Sequence, residues 1–221
     1  MHWLKSLGAL TPRTTLAHSV WMRQDEIKLI GEAGANVGLN PAGKLKTRSG
    51  IAPTREFLNA GINIGLGSDN CSCSDVQNMF QAMKLYVTLA GVCHPEEGPP
   101  RAANAIRAAA VNGAKTAGFI DLGHLRAGMR ADVTILDLFD ISYVPLNSVA
   151  RQLVFTESGR AVETVIVDGR VIMQDRRILK VDEAKVRETV ERVLPGVQKS
   201  LPEVRARIAP IEGKLDEPCR K

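Results

Sequence analysis

Hydrophobic residues in the first half of the chain follow two alternating patterns. Short continuous apolar runs, typical of buried strands, occur at positions 14–20, 35–39 and 60–64. Each run leads through a polar loop into a stretch in which apolar residues recur every three or four positions, as at 24–33. Strands that alternate with amphipathic helices in this way predict βα units and a parallel sheet.

A polar side chain follows each predicted strand. His18 lies near the end of the first, Asn40 follows the second, and Asp69 follows the third. Taken alone these residues are ordinary, because Ser-Asp-Asn is more often a turn or helix cap and a single histidine more often a hydrogen-bonded strand-end residue. Since the carboxyl ends of parallel strands share one edge, where α/β folds place their chemistry, we expect the three side chains to converge.

The loop between the second strand and the third helical pattern is basic. It runs from Asn40 to Ala52 and contains Lys44, Lys46 and Arg48. These side chains could meet an anionic ligand, but such residues in a loop usually face solvent.

The pattern changes after position 117. Positions 131–137 alternate like a half-buried strand, and 164–173 is typical of a β-hairpin with Asp168-Gly169 at its turn. Positions 181–194 then predict a helix, and the end from Pro210 is expected to be frayed. The apolar residues expected on the inner side of this helix are Val186, Val190, Val193 and Leu194.

Composition is that of an ordinary globular protein, with 44% hydrophobic and 24% charged residues among 221. No run approaches the roughly 18 apolar residues of a membrane span, and the N-terminus lacks the layout of a secretory signal. We therefore expect a cytoplasmic protein without membrane contact. The cysteines, whose spacing fits no redox or zinc motif, are expected to be reduced and mostly packed: Cys71, Cys73, Cys93 and Cys219.

The net charge of +5 suggests a possible nucleic-acid partner. From position 176 onward there are 12 basic and 8 acidic residues, whereas the other 175 positions carry 17 and 16. Most of the excess therefore lies in the helical C-terminal region, where the signs are mixed, and no basic and aromatic residues are interleaved. We expect no nucleic-acid partner.

Six segments, in order, resemble the C-terminal half of metal-dependent amidohydrolases. Each is weak alone, but the six together are specific, and the resemblance extends from about Leu4 to about Val181. It is strongest to the branch that contains cytosine-deaminase-like enzymes, methylthioadenosine–adenosylhomocysteine deaminases and triazine chlorohydrolases. The segments are Leu16-Ala17-His18-Ser19-Val20-Trp21, Asn40-Pro41, Ser49-Gly50-Ile51-Ala52-Pro53, Gly65-Leu66-Gly67-Ser68-Asp69-Asn70, Gly123-His124-Leu125-Arg126-Ala127-Gly128-Met129-Arg130-Ala131-Asp132-Val133 and Val165-Ile166-Val167-Asp168-Gly169-Arg170-Val171.

This resemblance implies an α/β fold, namely the C-terminal part of a (β/α)8 TIM barrel, about strands 6 to 8, with part of a composite β-sandwich. Positions 1–117 would form the partial TIM-barrel catalytic domain. Positions 118–181 would form the sandwich portion, and 182–221 a C-terminal helical extension.

The resemblance also implies an enzyme, a hydrolase of non-peptide C–N bonds that deaminates a small N-heterocyclic substrate with metal-activated water. Asp69 would be the metal ligand and would take the proton from that water. His18 would orient the water or polarise the attacked carbon. A divalent metal, zinc or alternatively iron, lowers the pKa of bound water towards neutrality, and a carboxylate and an imidazole beside it fit this chemistry.

Three features depart from the family's pattern. The family takes further ligands from a His-x-His pair and another histidine, followed by a glutamate, whereas the four histidines here form no such pair. A full barrel needs about 250 residues, and Gly43-Lys44 stands where relatives usually have Ser-Asn. We therefore expect the chain to be inactive alone, with a metal site that could be unoccupied.

The alternative is a non-catalytic fragment or assembly subunit that needs a partner to complete the barrel. Three parallel strands would leave two uncovered edges, which favour association. The expected partner is a second copy of the chain or a complementary N-terminal half.

Overall fold

A computed structural model describes residues 1–215, with side chains described as far as residue 211. The chain divides into two compact units, the first Met1–Arg176 and the second beginning at Arg177. Within the described range, no helix combines the length and the apolar character needed to cross a membrane.

The first sheet consists of three parallel strands, which confirms the predicted strand arrangement. β1 (Thr15–Ala17), β2 (Asn36–Leu39) and β3 (Asn63–Leu66) lie in the order β1-β2-β3. β3 begins later than the apolar pattern predicts, because Gly61 adopts a left-handed φ of 68° after the preceding helix.

Eight helices of the first unit precede or follow these strands. One of them corrects a prediction, since Pro41 begins a helix within the expected loop 40–52, and proline is favoured at a first helical position. The helices are α1 (His2–Ser6), α2 (Gln24–Glu32), α3 (Pro41–Lys46), α4 (Thr54–Asn59), α5 (Cys71–Ser74), α6 (Met79–Cys93), α7 (Ala102–Ala109) and α8 (Val111–Thr116).

One face of the parallel sheet forms the hydrophobic core. Val37 and Ile64 are at most 1% exposed and pack in one cluster with residues of α2, α4 and α6. Burial of the apolar side chains from both strands and helices is the main stabilising contribution in this part of the chain. The core members from these helices include Ile27, Ile30, Phe57, Met83 and Val87.

The opposite face of the sheet carries polar and small residues, and α8 covers it. The Asn63 amide donates to Asn36 Oδ1 at 2.9 Å and to Thr116 Oγ1 at 3.2 Å. A Cβ at Gly65 would lie 2.4 Å from Thr116 Oγ1, so glycine is what lets α8 approach. Because side chains alternate along a strand, Asn40 continues the row of Asn36 beyond the end of β2.

The second sheet of the first unit is antiparallel, in the order β4-β5-β6. Asp168 and Gly169 join β5 and β6 with left-handed φ values of 51° and 73°, which confirms the predicted hairpin turn. A 3₁₀ turn (Ile141–Tyr143) and α9 (Val149–Phe155) lie between β4 and β5. The strands are β4 (Val133–Leu136), β5 (Val162–Val167) and β6 (Arg170–Gln174).

The second unit contains β7 (Arg177–Ile178) and α10 (Glu183–Leu215). The expectation of an inner apolar side is wrong, because Val190 is 58% and Leu194 46% exposed. The helix also continues through Pro210 rather than fraying there. The domain boundaries at 117 and 181 stay predictions.

Candidate active site

The structure brings His18, Asn40 and Asp69 together at the carboxyl edge of the parallel sheet. Asn40 lies between the other two: its Nδ2 is 3.0 Å from His18 Nδ1, and its Oδ1 accepts a hydrogen bond from the Asp69 backbone N–H at 3.1 Å. The remaining ring nitrogen, His18 Nε2, is 3.8 Å from Asp69 Oδ2. One imidazole, one amide and one carboxylate therefore form a connected group.

The backbone turns sharply at both ionisable residues. His18 has a φ of 68° and Asp69 a φ of 65°, the left-handed region that non-glycine residues adopt uncommonly. The His18 N–H still donates to Gly38 O at 2.7 Å, so His18 remains hydrogen-bonded to β2 and the chain leaves the sheet only after it. Such conformations cost about 1–3 kcal/mol each and cluster at functional sites.

The two oxygens of Asp69 have different environments. Oδ1 accepts a hydrogen bond from the Asn70 N–H at 2.8 Å, whereas Oδ2 faces His18 and the Lys44 ammonium, which is 3.6 Å away. The Asn70 hydrogen bond, helped by the electrostatic effect of the nearby His18 and Lys44 side chains, holds the pKa of the Asp69 carboxyl below its ordinary value. Asp69 is therefore ionised at neutral pH, and Oδ2 is the oxygen that can accept a proton or bind a cation.

Lys44 corrects a second expectation from the sequence. Its side chain is only 17% exposed and faces the 16% exposed Asp69, rather than solvent. In the sequence, the unusual Gly43-Lys44 pair marks this position but does not indicate which residue Lys44 contacts. A Cβ at Gly43 would lie 3.1 Å from Asp69 Oδ2, so the glycine also leaves room for the carboxylate.

A small cavity lies next to this group. Its volume is about 30 Å³, more than the roughly 10–15 Å³ that a cavity needs to hold one water molecule. His18, Asn40 and Lys44 contribute its polar wall, and Ile51 and Leu89 are among its apolar residues. Water could therefore reach the imidazole from this side.

The described residues do not by themselves fit a catalytic zinc ion. Such a site has three protein ligands and an open position, whereas this edge of the sheet offers Asp69 and at most His18. Among the residues whose side chains are described, 1–211, three His, Cys, Asp or Glu side chains with ligand atoms within 4.8 Å of one another occur only at His94, Glu96 and Glu97. That group is partly solvent-exposed, and Arg55 Nε already lies 3.1 Å from Glu97.

The described cysteines are more exposed than the sequence predicts. Cys71 and Cys93 are exposed and Cys73 is half-buried, so the expectation of mostly packed cysteines is wrong for the first two. Cys219 lies outside the described residues.

Comparison with known proteins shows the family of the chain. Residues 1–172 match the model of the amidohydrolase family. The chain belongs to the amidohydrolase family. This family consists of enzymes, and the relatives of this amidohydrolase include deaminases and a triazine hydrolase.

Among relatives, the 5′-deoxyadenosine deaminase of Methanosarcina mazei is 36% identical over 194 residues, which cover 87% of this amidohydrolase and 44% of the relative. The chain thus spans less than half the length of this curated relative. An adenosine deaminase of Xanthomonas campestris with bound zinc superposes with a TM-score of 0.86 at 27% identity, covering 90% of this chain and 45% of that one. The zinc complex of atrazine chlorohydrolase from Arthrobacter aurescens gives 0.80 at 27% identity, with coverages of 88% and 43%. The fold is therefore that of part of an amidohydrolase TIM barrel, and the two solved structures named here contain zinc.

Proposed function

We propose that this chain supplies the Asp69 and His18 side of the active site of a cytoplasmic deaminase whose substrate is a purine nucleoside such as 5′-deoxyadenosine. The observation that carries the proposal is the ionised Asp69 Oδ2 facing His18 Nε2 at the carboxyl edge of the parallel sheet. The deaminases among the relatives support the substrate class.

The reaction replaces an exocyclic amino group on a ring carbon by oxygen from water and releases ammonia. Asp69 Oδ2 accepts a proton from the attacking water, a role for which its carboxylate is already ionised. His18 Nε2 lies beside that oxygen and can donate a hydrogen bond to charge that develops at the attacked carbon's substituents.

A divalent metal, zinc or alternatively iron, is proposed for the assembled enzyme, where it would make bound water acidic. Asp69 would be its ligand from this chain. Since the described residues offer fewer than three ligands at this edge, the others must come from the remainder of the barrel, on the same polypeptide or on another. In that barrel β1, β2 and β3 would be strands 6, 7 and 8.

Open strand edges support the proposed assembly. In the described part of the chain, β1 and β3 each pair only with β2, so each leaves one row of backbone groups without a strand partner. Trp21, just after His18, is 84% exposed. We propose that the rest of the barrel or a second copy covers these edges.

The test of the function uses a chimera in which the part of the M. mazei relative that this chain does not match is fused ahead of residues 1–221. Loaded with zinc, the chimera should convert 5′-deoxyadenosine to its inosine analogue, measured by liquid chromatography. Asp69→Asn should reduce the rate by about 100-fold or more, since it removes the proton acceptor.

Asp75→Asn is the matched control, because Asp75 is an exposed carboxylate that pairs with Lys46 at 2.5 Å rather than with His18. Its rate should equal that of the parent chimera. A folded, zinc-loaded chimera without deaminase activity, or an Asp69→Asn variant with the parent rate, would contradict the proposed function.

The alternative, a non-catalytic assembly subunit, predicts a complex without turnover. Light scattering after size exclusion tests the assembly itself. A clean monomer of 23.9 kDa at micromolar concentration, also in the presence of the M. mazei segment, would contradict the proposal that a partner covers the open strand edges.

A further inference from the structure

Asn40 stands at the N-terminal cap of α3 but does not cap that helix. An asparagine at this position usually accepts a hydrogen bond from the second or third N–H of the helix. No such bond is made here, and α3 begins with Pro41, which brings no N–H of its own. Both polar atoms of the Asn40 side chain are instead directed at the candidate active site.

The two contacts of Asn40 fix the orientation of its amide. The Asp69 backbone N–H can only donate, so the atom that faces it at 3.1 Å must be the carbonyl oxygen. The amide nitrogen then faces His18 Nδ1 at 3.0 Å, and because an amide NH₂ only donates, Nδ1 must be the acceptor. Neutral His18 therefore carries its proton on Nε2.

A glycine just after the neighbouring strand β3 allows the close packing around Asn40. A Cβ at Gly67 would lie 2.5 Å from Asn40 Oδ1, which no real contact allows. The Gly67 N–H also donates to Leu39 O at 2.8 Å, so its backbone is fixed beside the end of β2. The close approach of Asn40 to Asp69 thus depends on a missing side chain at Gly67.

We propose that Asn40 is a positioning residue that holds neutral His18 in the Nε2–H tautomer, with this proton directed towards Asp69 Oδ2, and ties the imidazole to the Asp69 backbone. The catalytic meaning of this arrangement rests on the proposed function, whereas the tautomer does not. In the Nδ1–H form, His18 would present a lone pair rather than a donor to the carboxylate, and the donor ascribed to it above would be lost.

The test is nitrogen NMR of the histidine ring in the metal-free, ¹⁵N-labelled chain of 221 residues at pH 8.5, where imidazole is neutral. The His18 signals are assigned by their loss in His18→Gln. The expected result is an unprotonated Nδ1 and a protonated Nε2. In Asn40→Asp the side chain can only accept, so the proton should move to Nδ1 and the two signals should exchange character.

Asn78→Asp is the matched control, because Asn78 caps α6 by accepting from the Phe80 and Gln81 N–H groups and does not touch His18. It should leave the His18 signals unchanged. Gly67→Ala should displace Asn40 and give mixed tautomers, whereas Gly38→Ala, whose Cβ would meet only atoms 3.9 Å or more away, should not.

A protonated Nδ1 in the parent chain would overturn the proposal without any variant, and this outcome does not depend on how the variants fold. An Nε2–H tautomer that persists in folded Asn40→Asp would overturn it as well. Both results are read from the ring nitrogens of His18 rather than from turnover, so failure here and loss of deaminase activity in the chimera are distinguishable outcomes.

Discussion

The two sheets of the first unit both contain apolar strand residues, yet only one of them has a buried core. In β2 and β3, Val37 and Ile64 are at most 1% exposed, whereas Ile135 of β4 is 45% exposed and no side chain of β4, β5 or β6 is fully buried. The parallel sheet is covered on both faces by helices of its own unit. An apolar strand pattern thus indicates which side chains can be buried, and the packing of neighbouring elements determines whether they are buried.

This difference agrees with the proposed composite sandwich, in which strands from elsewhere complete the antiparallel sheet. It also predicts that most of the stability of the described chain resides in the parallel part.

The largest expected effect on stability is at Ile64. Ile64→Ala removes a side chain from the centre of the packed core and should lower the free energy of unfolding by about 2–5 kcal/mol. The matched variant is Ile135→Ala on β4, where the half-exposed side chain should cost less than about 1 kcal/mol. Urea unfolding followed by circular dichroism measures both variants. Equal losses in the free energy of unfolding would contradict the expected difference between the two sheets.

A smaller effect is expected where α8 meets the polar face of the parallel sheet. Gly65→Ala would place a Cβ 2.9 Å from Thr116 Cβ and 2.4 Å from its hydroxyl oxygen, so α8 must shift. Overpacking of this kind costs about 1–3 kcal/mol. Thermal unfolding should show a lower Tm for this variant, and an unchanged Tm would mean that α8 does not lie closely on β3.

The smallest effect concerns pH and the segment after β4. The Ser142 N–H, with Arg160 at 2.9 Å, holds the pKa of the buried Asp140 carboxyl below its ordinary value. A lowered pKa in the folded state stabilises it above the ordinary aspartate pKa of about 4, and this contribution is lost as pH falls through the lowered value. Asp140→Asn should therefore be less stable than the parent chain at pH 7, and the difference in free energy of unfolding should shrink towards pH 2. A difference that does not depend on pH would contradict this assignment.

The sequence predicts the parallel strands, the hairpin and the strand-end side chains because these features follow from local periodicity and turn chemistry. It does not predict that Lys44 meets Asp69, because a lysine in a basic loop carries no local signal of its partner. The exposure of Val190 on α10 is missed for a related reason: amphipathic spacing predicts a face that can be buried, not the element that covers it.

The role of Asn40 could be predicted from the sequence only in part. Its position at a strand end is visible in the sequence, but the two contacts of its amide depend on Gly67 and on the left-handed backbone of His18 and Asp69. Asparagine before proline is a common helix start, so the pattern alone predicts a cap. Only the three-dimensional contacts separate a cap from a positioning residue.

The central claim is that this chain carries an incomplete metal site built on Asp69, and zinc content measures it most directly. The chain of 221 residues and its Asp69→Ala variant are stripped with chelator, equilibrated with zinc, freed of excess and analysed by inductively coupled plasma mass spectrometry. The His94→Ala variant is measured in the same way, so that zinc bound by the group of His94, Glu96 and Glu97 is distinguished from zinc at Asp69. We expect clearly less than one zinc per chain with no dependence on Asp69, and about one Asp69-dependent zinc in the M. mazei chimera. About one tightly held zinc on the chain alone, lost in Asp69→Ala and kept in His94→Ala, would contradict it.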